Sequence, residues 1–292
     1  MRPSQWVDYE ERFDVVVSHI YDNLHRPLDL PSLADVVGLS AQHWHRVFTS
    51  AFGESIVALV KRLRMQKASH LLANSSIAVS RIAVECGYPS VQSFTRAFSA
   101  TYGMPPARYR NEGSHSEFRR ARAQFDPNSF SVDIREIASI DCLSVSQKGP
   151  YLTIGQAFTD LAVWYSSHGL DPDAQRYLGV YGDDPTAKKE SDLISHACFV
   201  RPQTLVGAPV PVAPDAAVVR ELTIEGGTYA VLRYRGPYAD MRSVYEWLFG
   251  CWVMSSGYAL ANRPLVEDYL NKPKDTAPAS LETEMWLPLQ DR

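Results

Sequence analysis

Residues 30–53, LPSLADVVGLSAQHWHRVFTSAFG, and residues 79–103, VSRIAVECGYPSVQSFTRAFSATYG, decide the fold of the N-terminal third. The second is a copy of the first. Leu30, Leu33, Ala34, Val37 and Gly38 recur 49 positions on as Val79, Ile82, Ala83, Cys86 and Gly87. Trp44, Val47, Phe48, Phe52 and Gly53 recur 50 positions on as Phe94, Ala97, Phe98, Tyr102 and Gly103. Self-similarity of this kind marks one structural unit used twice. Apolar positions 30, 33, 34 and 37 fall on one helical face. Gly38 suits the left-handed residue that ends a helix. Ser40, and Ser90 in the second copy, have the oxygen that caps the next helix. Short helix, tight turn and amphipathic helix together predict a helix-turn-helix.

The opposite face of each second helix carries the information. It presents Gln42, His45, Arg46 and Thr49 in the first copy and Gln92, Thr95, Arg96 and Ser99 in the second. Arginine pairs with guanine and glutamine with adenine through two bonds each in the major groove, so this pattern, repeated, points to double-stranded DNA. A solvated polar stripe is the competing reading for either copy alone. Residues 55–72 between the copies read as one helix, with Ile56, Leu59, Val60 and Leu63 on its apolar face. At 1.5 Å per residue it would span about 27 Å, a spacer for two readers about 34 Å apart on one face of DNA. Its Lys61, Arg62, Arg64 and Lys67 are candidates for phosphate contact or for plain solvation.

Charge follows the same division. Residues 40–110 hold nine Lys and Arg against two Asp and Glu, whereas residues 126–292 hold 14 against 22, in a chain of 292 residues and net charge −4. A basic segment beside an acidic one predicts that only the first meets a polyanion. The length predicts two domains. The four cysteines, Cys86, Cys142, Cys198 and Cys251, include no CxxC pair, which argues against a zinc cluster or a disulfide framework and for a reducing compartment. MRPSQWVDYEERF has no apolar run of the signal-peptide kind. Residues 244–261 are interrupted by Glu246, Gly250, Ser255, Ser256 and Gly257, and predict a buried amphipathic helix instead of a membrane span. A cytoplasmic protein without cofactor, metal site or membrane partner is expected.

A second repeat lies downstream. Lys148-Gly-Pro-Tyr151 recurs 87 residues on as Arg235-Gly-Pro-Tyr238. A strand is expected before each (142–146 and 229–234), an amphipathic helix after each, and then two more strands. The unit strand-helix-strand-strand, used twice, predicts a sheet with helices on one side and a ligand cleft at the seam between the halves.

LPSLADVVGLSAQHWHRVFTSAFGES, VKRLRMQKASHLL and VSRIAVECGYPSVQSFTRAFSATYGMPPARYR resemble the AraC/XylS family of regulators over residues 13–110. The resemblance implies a seven-helix domain that reads DNA with two recognition helices, with base contacts at Gln42, His45 and Arg46 and at Val91, Gln92, Ser93 and Arg96. Val91 is apolar where relatives often carry a polar group, which suits a thymine methyl. GVYGDDP, GGTYAVLRYRGPYADM, RPLVEDYLNKP and ETEMWLPL resemble the GyrI-like effector-binding domain over residues 130–289. That resemblance implies binding of amphipathic, often cationic or aromatic, small molecules around a central acid, here Glu267. The chemistry supports that reading: in a strand, Glu267 and Tyr269 face the same way, a carboxylate among aromatics attracts organic cations, and Tyr151, Trp164, Tyr269 and Trp286 are the candidate walls. Simple packing is the competing reading for each aromatic, and an exposed strand-end carboxylate for Glu267. Some GyrI-like relatives resemble hydrolases, in which the same glutamate activates water.

The expected architecture is therefore an all-helical double helix-turn-helix domain over residues 1–112, a linker over 113–125, and a duplicated strand-helix-strand-strand α+β domain over 126–292. Arg119, Arg120 and Arg122 of the linker are read as solvated, with DNA as a second possibility. The expected function is a DNA-binding transcription regulator responsive to a small-molecule effector, with RNA polymerase a further candidate partner. The competing readings are a hydrolase-like C-terminal domain using Glu267 and a domain that makes only protein contacts. No nucleophile elbow, metal motif or phosphate loop occurs in the sequence.

Overall fold

The computed structural model describes residues 3–290 apart from Leu39 and residues 203–218, with side chains from Arg12 onward. Seven helices build the N-terminal domain: α1 Pro3–Asp22, α2 Leu30–Val36, α3 Ala41–Phe52, α4 Ile56–Asn74, α5 Val79–Glu85, α6 Val91–Tyr102 and α7 Pro106–Glu112. The caps form where the sequence places them. Ser40 Oγ accepts from the His43 amide and Ser90 Oγ from the Ser93 amide, at 3.3 and 3.1 Å. Each copy has its own core. Trp44 and Phe48 pack with Phe13, Val16, Val17 and Leu33 in the first; Phe94 and Phe98 pack with Met65, Leu72, Ile82 and Tyr109 in the second. α4 contributes to both cores, and its 19 residues rise about 28 Å.

The turn of the second copy is also fixed to the first. Gly87 has φ of +72°, and a Cβ there would sit 2.6 Å from the Leu24 carbonyl oxygen, so only glycine fits. Arg64 Nε donates to that same carbonyl at 3.0 Å, and its Nη2 to Arg26 O. Arg62 pairs with Glu54. Both arginines of the spacer helix thus have structural partners within the protein.

The C-terminal domain is an eight-stranded antiparallel sheet in the order β1-β6-β8-β7-β3-β4-β2-β5. Its strands are β1 Asp133–Ile137, β2 Ile140–Lys148, β3 Tyr177–Tyr181, β4 Ile194–Val200, β5 Arg220–Ile224, β6 Gly227–Arg235, β7 Leu265–Tyr269 and β8 Glu282–Pro288. α9 Gly155–Ser167 follows β2, and α10 Met241–Trp247 follows β6, prolonged by a π-helical stretch Leu248–Val253 and a last turn Met254–Ser256. Both helices pack on one face of the sheet, as expected. Among the described residues no helix is long and apolar enough to cross a membrane.

The repeat differs from the expected unit in one respect. A further strand precedes each half, and the two are exchanged: β1 pairs with β6 of the second half, and β5 with β2 of the first. Both are short edge strands, Asp133-Ile-Arg-Glu-Ile137 and Arg220-Glu-Leu-Thr-Ile224, with charges that discourage pairing with another chain. The halves meet where β3 pairs with β7, Gly179 opposite Glu267.

The segment read as a linker is a helix. α8 His115–Ala123 buries His115, Phe118 and Ala121, and Phe118 packs face to face with Phe130 (ring centroids 3.9 Å apart) and edge-on to Trp247. Two of its three arginines are not simply solvated, while Arg120 is exposed. Arg119 donates to Ala73 O and to Ser243 Oγ, and Arg122 pairs with Glu246 at 2.8 Å. A second contact between the domains joins α1 and α9, where Val163 enters the core of the first helix-turn-helix. There the buried Asp160 carboxyl is pushed up in pKa, first by desolvation and then by Asp14 of α1.

Because α8 belongs to the C-terminal core, Phe118→Ala should cost about 3–5 kcal/mol, as for other large buried aromatics. Urea unfolding followed by tryptophan fluorescence reads this. A linker side chain would leave the transition unmoved.

Candidate functional site

Two sites take shape. The first is the outer face of α3 and α6. Gln42, Arg46, Val91, Gln92 and Arg96 are exposed, while His45, Ser93 and Thr95 are half-buried. The two Gln-Arg pairs therefore lie on matching faces of the two recognition helices. Val91 leaves 42% of its surface exposed at the first position of α6. The Ser93 hydroxyl is used in the helix cap, donating to Ser90 O at 2.8 Å.

The second site lies at the seam of the sheet. The repeat offset, applied to residues as well as to motifs, generates it. At the 87-residue offset Tyr151 corresponds to Tyr238 and Phe158 to Tyr245; one residue is inserted before the following strands, so that at an offset of 88 Tyr181 corresponds to Tyr269 and Gly179 to Glu267. Glu267 stands on the helix-covered face and is buried. Tyr245 donates to its Oε1 at 2.9 Å and Tyr269 to its Oε2 at 2.6 Å. The Tyr181 hydroxyl lies 2.5 Å from that of Tyr269. Around these stand Tyr238 and Phe158, edge-on to Tyr269 at 5.3 and 5.6 Å, and Tyr151, edge-on to Tyr181 at 4.8 Å. At the symmetry-related position Gly179 leaves room for the Tyr181 ring: a Cβ would come within 2.8 Å of it. The cage is thus a near-symmetric set of aromatic rings with one carboxylate.

Burial raises the pKa of Glu267, opposed by the hydroxyls of Tyr269, Tyr245 and Tyr181. The tyrosines respond in kind: desolvation, then the nearby carboxylate, push Tyr245 and Tyr269 well above the ordinary phenol range. Both carboxylate oxygens are hydrogen-bonded, but only by neutral hydroxyls, so no positive group offsets a charge on Glu267 among its hydrogen-bond partners.

Of the expected ligand residues, the structure brings together Glu267, Tyr269 and Tyr151. Trp286 is not among them. β8 pairs with β7 so that Met285 lies opposite Glu267, which puts Trp286 on the other face, over Tyr229 and under the Arg176 guanidinium. Trp164 is packed in the core beneath α9, stacked on His168 at 4.0 Å. Both are core residues. Tyr181, Tyr238 and Tyr245 had no place among the expected residues, although the 87-residue repeat pointed to them. Beside Tyr238 a cleft of about 220 Å³ opens between the domains, with Arg62 and Glu54 of the N-terminal domain on one side and Lys274 and Pro278 on the other. Among the described residues no cluster of His, Cys, Asp or Glu could hold a metal ion.

Two helix-turn-helix units followed by a duplicated α+β domain, with one carboxylate on the helix-covered face of its seam, define a two-domain helix-turn-helix protein of AraC type. Residues 130–290 match the GyrI-like small molecule binding domain, more than half of the chain, and the protein belongs to that family. Residues 33–112 match a helix-turn-helix domain. The chain is similar to the HTH-type transcriptional regulator YfiF of Bacillus subtilis (strain 168), 38% identical over 93 residues, 32% of this chain and 29% of YfiF. It therefore spans under a third of that relative. The multiple antibiotic resistance protein MarA of Salmonella typhimurium is 30% identical over 104 residues, 36% of this chain and 82% of MarA. The EcmrR–DNA complex solved in EcmrR-RPo aligns with 89% of this chain and 85% of its own, at 15% identity and a TM-score of 0.45.

The raised pKa of Glu267 sets a sign. The folded chain holds this proton more tightly than the unfolded chain, so its stabilising contribution is complete below the ordinary glutamate range. That contribution is lost as pH rises through the raised value. Glu267→Gln cannot ionise, so its stability relative to wild type should grow from pH 5 to pH 8, read from urea midpoints. A difference constant with pH would mean that burial costs the carboxylate nothing.

Proposed function

We propose that the protein is a DNA-binding transcription regulator whose C-terminal domain takes an amphipathic, cationic aromatic small molecule. The observation that carries the ligand class is Glu267: a single buried carboxylate, ringed by six aromatic side chains, with no basic group among its hydrogen-bond partners. Leaving a charge in such a place is expensive. An organic cation bearing aromatic rings would neutralise it, meet ring faces on several sides, and need no further polar partner. The aromatic rings also supply most of the area that a hydrophobic ligand would bury.

Support for the DNA-reading half comes from the paired faces of α3 and α6. Arg46 and Arg96 would make the base contacts, with Gln42 and Gln92 beside them and His45, Thr95, Ser93 and Val91 at the flanks. A single chain then carries both readers, so one copy suffices to cover two successive major-groove segments.

The test has two arms on the full-length chain. Binding sites selected from random duplexes should be bound with a steep salt dependence, and Arg46→Ala and Arg96→Ala should each cost about 1–3 kcal/mol. Unchanged affinity and sequence preference in both variants would remove the recognition-helix assignment. Tryptophan quenching with tetraphenylphosphonium should saturate, weaken at least about tenfold in Glu267→Gln by loss of the charge partner, and return the compound unaltered. Equal affinity of wild type and variant for the cation would remove the proposed role of Glu267. Consumption of the compound would favour the hydrolase reading.

A further inference from the structure

The two Gly-Pro-Tyr turns of the repeat are equivalent in sequence and differ in their connections. In the first, Tyr151 sends its hydroxyl to Asp183 O at 2.7 Å, and Thr153 closes the turn on Pro150 O. Every one of those bonds stays within the C-terminal domain. The second turn has Asp240 where the first has Thr153, and Asp240 is fully buried.

The Asp240 carboxylate receives three donors and the close approach of the His115 ring, all from the chain that leads out of the DNA-binding domain. Tyr109 Oη of α7 donates to Oδ1 at 2.7 Å, and the His115 Nδ1 lies 3.2 Å from the same oxygen. Ser114 Oγ and the His115 amide donate to Oδ2 at 2.5 and 3.2 Å. One residue earlier, Ala239 O accepts from Asn74 Nδ2 at 3.1 Å, the last residue of α4. One residue earlier again, Tyr238 stands in the cage against Tyr269. Three consecutive residues thus face the cage, the end of α4, and α7 with the start of α8.

We infer that the turn Tyr238-Ala239-Asp240 carries the state of the cage to the DNA-binding domain, with Asp240 as the positioning residue. The inference rests on the reading of the cage as a ligand site. A ligand seated against Tyr269 displaces or clamps the Tyr238 ring. The turn is too short to absorb that motion, because its next two residues are bonded to α4 and α7. Both helices belong to the core beneath α6, through Leu72 and Tyr109, so the second recognition helix receives the change. The first turn makes no such bonds to α4 or α7: Tyr151 is as near the seam as Tyr238, yet its turn is hydrogen-bonded only within its own domain, and that half meets the N-terminal domain elsewhere, through α9 packed on α1.

Amide hydrogen exchange of the full-length chain tests this, read on peptides covering residues 70–77 and 106–112. Without any ligand, Tyr238→Ala should speed exchange there by at least about fivefold, since local opening is set by the contacts that hold a segment shut. Tyr151→Ala, which removes an equivalent cage ring, should not. Equal effects of the two variants, or none from Tyr238→Ala, would overturn the inference whatever the cage binds. In the second arm, tetraphenylphosphonium should change exchange in the same peptides of the wild type. Tyr109→Phe keeps its ring packing and loses only the bond to Asp240. It should bind the probe within about twofold of wild type and lose most of that response, as expected when a coupling and not a binding contact is removed. A full response in Tyr109→Phe would also overturn the inference. Absence of probe binding in the wild type would instead count against the ligand reading, and the first arm would still decide the link.

Discussion

The pairing of β3 with β7 is the constraint on which the C-terminal half depends. It joins two four-stranded halves into one sheet and sets Gly179 opposite Glu267 at their junction. Every other feature of the cage follows from that register. Strand alternation then puts Tyr181 and Tyr269 on the face of Glu267, and the helices that follow β2 and β6 bring Phe158 and Tyr245 over it. Duplication supplies matched aromatic walls at little cost in sequence. The departure from symmetry, a carboxylate against a glycine, supplies the chemistry.

The same economy extends to the junction between the domains. Buried charges are tolerated where hydrogen bonds surround them, and Asp240 is surrounded by donors from α7 and α8. Asp160 is treated otherwise. It is buried against Asp14, one of its oxygens lacks a hydrogen-bond partner, and its pKa is pushed up accordingly. One interface is held by a satisfied carboxylate and the other by packed apolar side chains with an unsatisfied one. The first has the geometry of a rigid joint, and the second that of a contact more easily opened.

The helix-turn-helix units were legible because everything that defines them is local. Caps, apolar spacing and turn glycines lie within a few residues of one another, and two copies confirm each other. The helices and central strands of the second repeat were legible for the same reason. The edge strands β1 and β5 were not: each is short, polar on much of its surface, and defined by a partner in the other half of the repeat. α8 was hidden by composition, since in NEGSHSEFRRARAQF only Phe118 and the exposed Phe125 are large apolar residues and the rest resembles a solvated connection. Glu267 and Tyr269 were legible through family resemblance, and Tyr151 through the repeat. Trp286 was misplaced because alternation fixes the two faces of a strand but not which face meets a neighbour's; that needs the register between strands. Tyr181, Tyr238 and Tyr245 were present in the repeat but were not carried across it.

The exchange of β1 and β5 bears on how the chain is made. A ribosome releases β1 and β2 long before β6 and β5, yet neither early strand has its full set of neighbours until the second half emerges. The first half cannot close on itself, and β1 must wait some 90 residues for Gly227–Arg235. The N-terminal helices, by contrast, are complete in sequence order and can form as they are synthesised. During that interval the nascent chain holds a finished pair of helix-turn-helix units attached to an unfinished sheet.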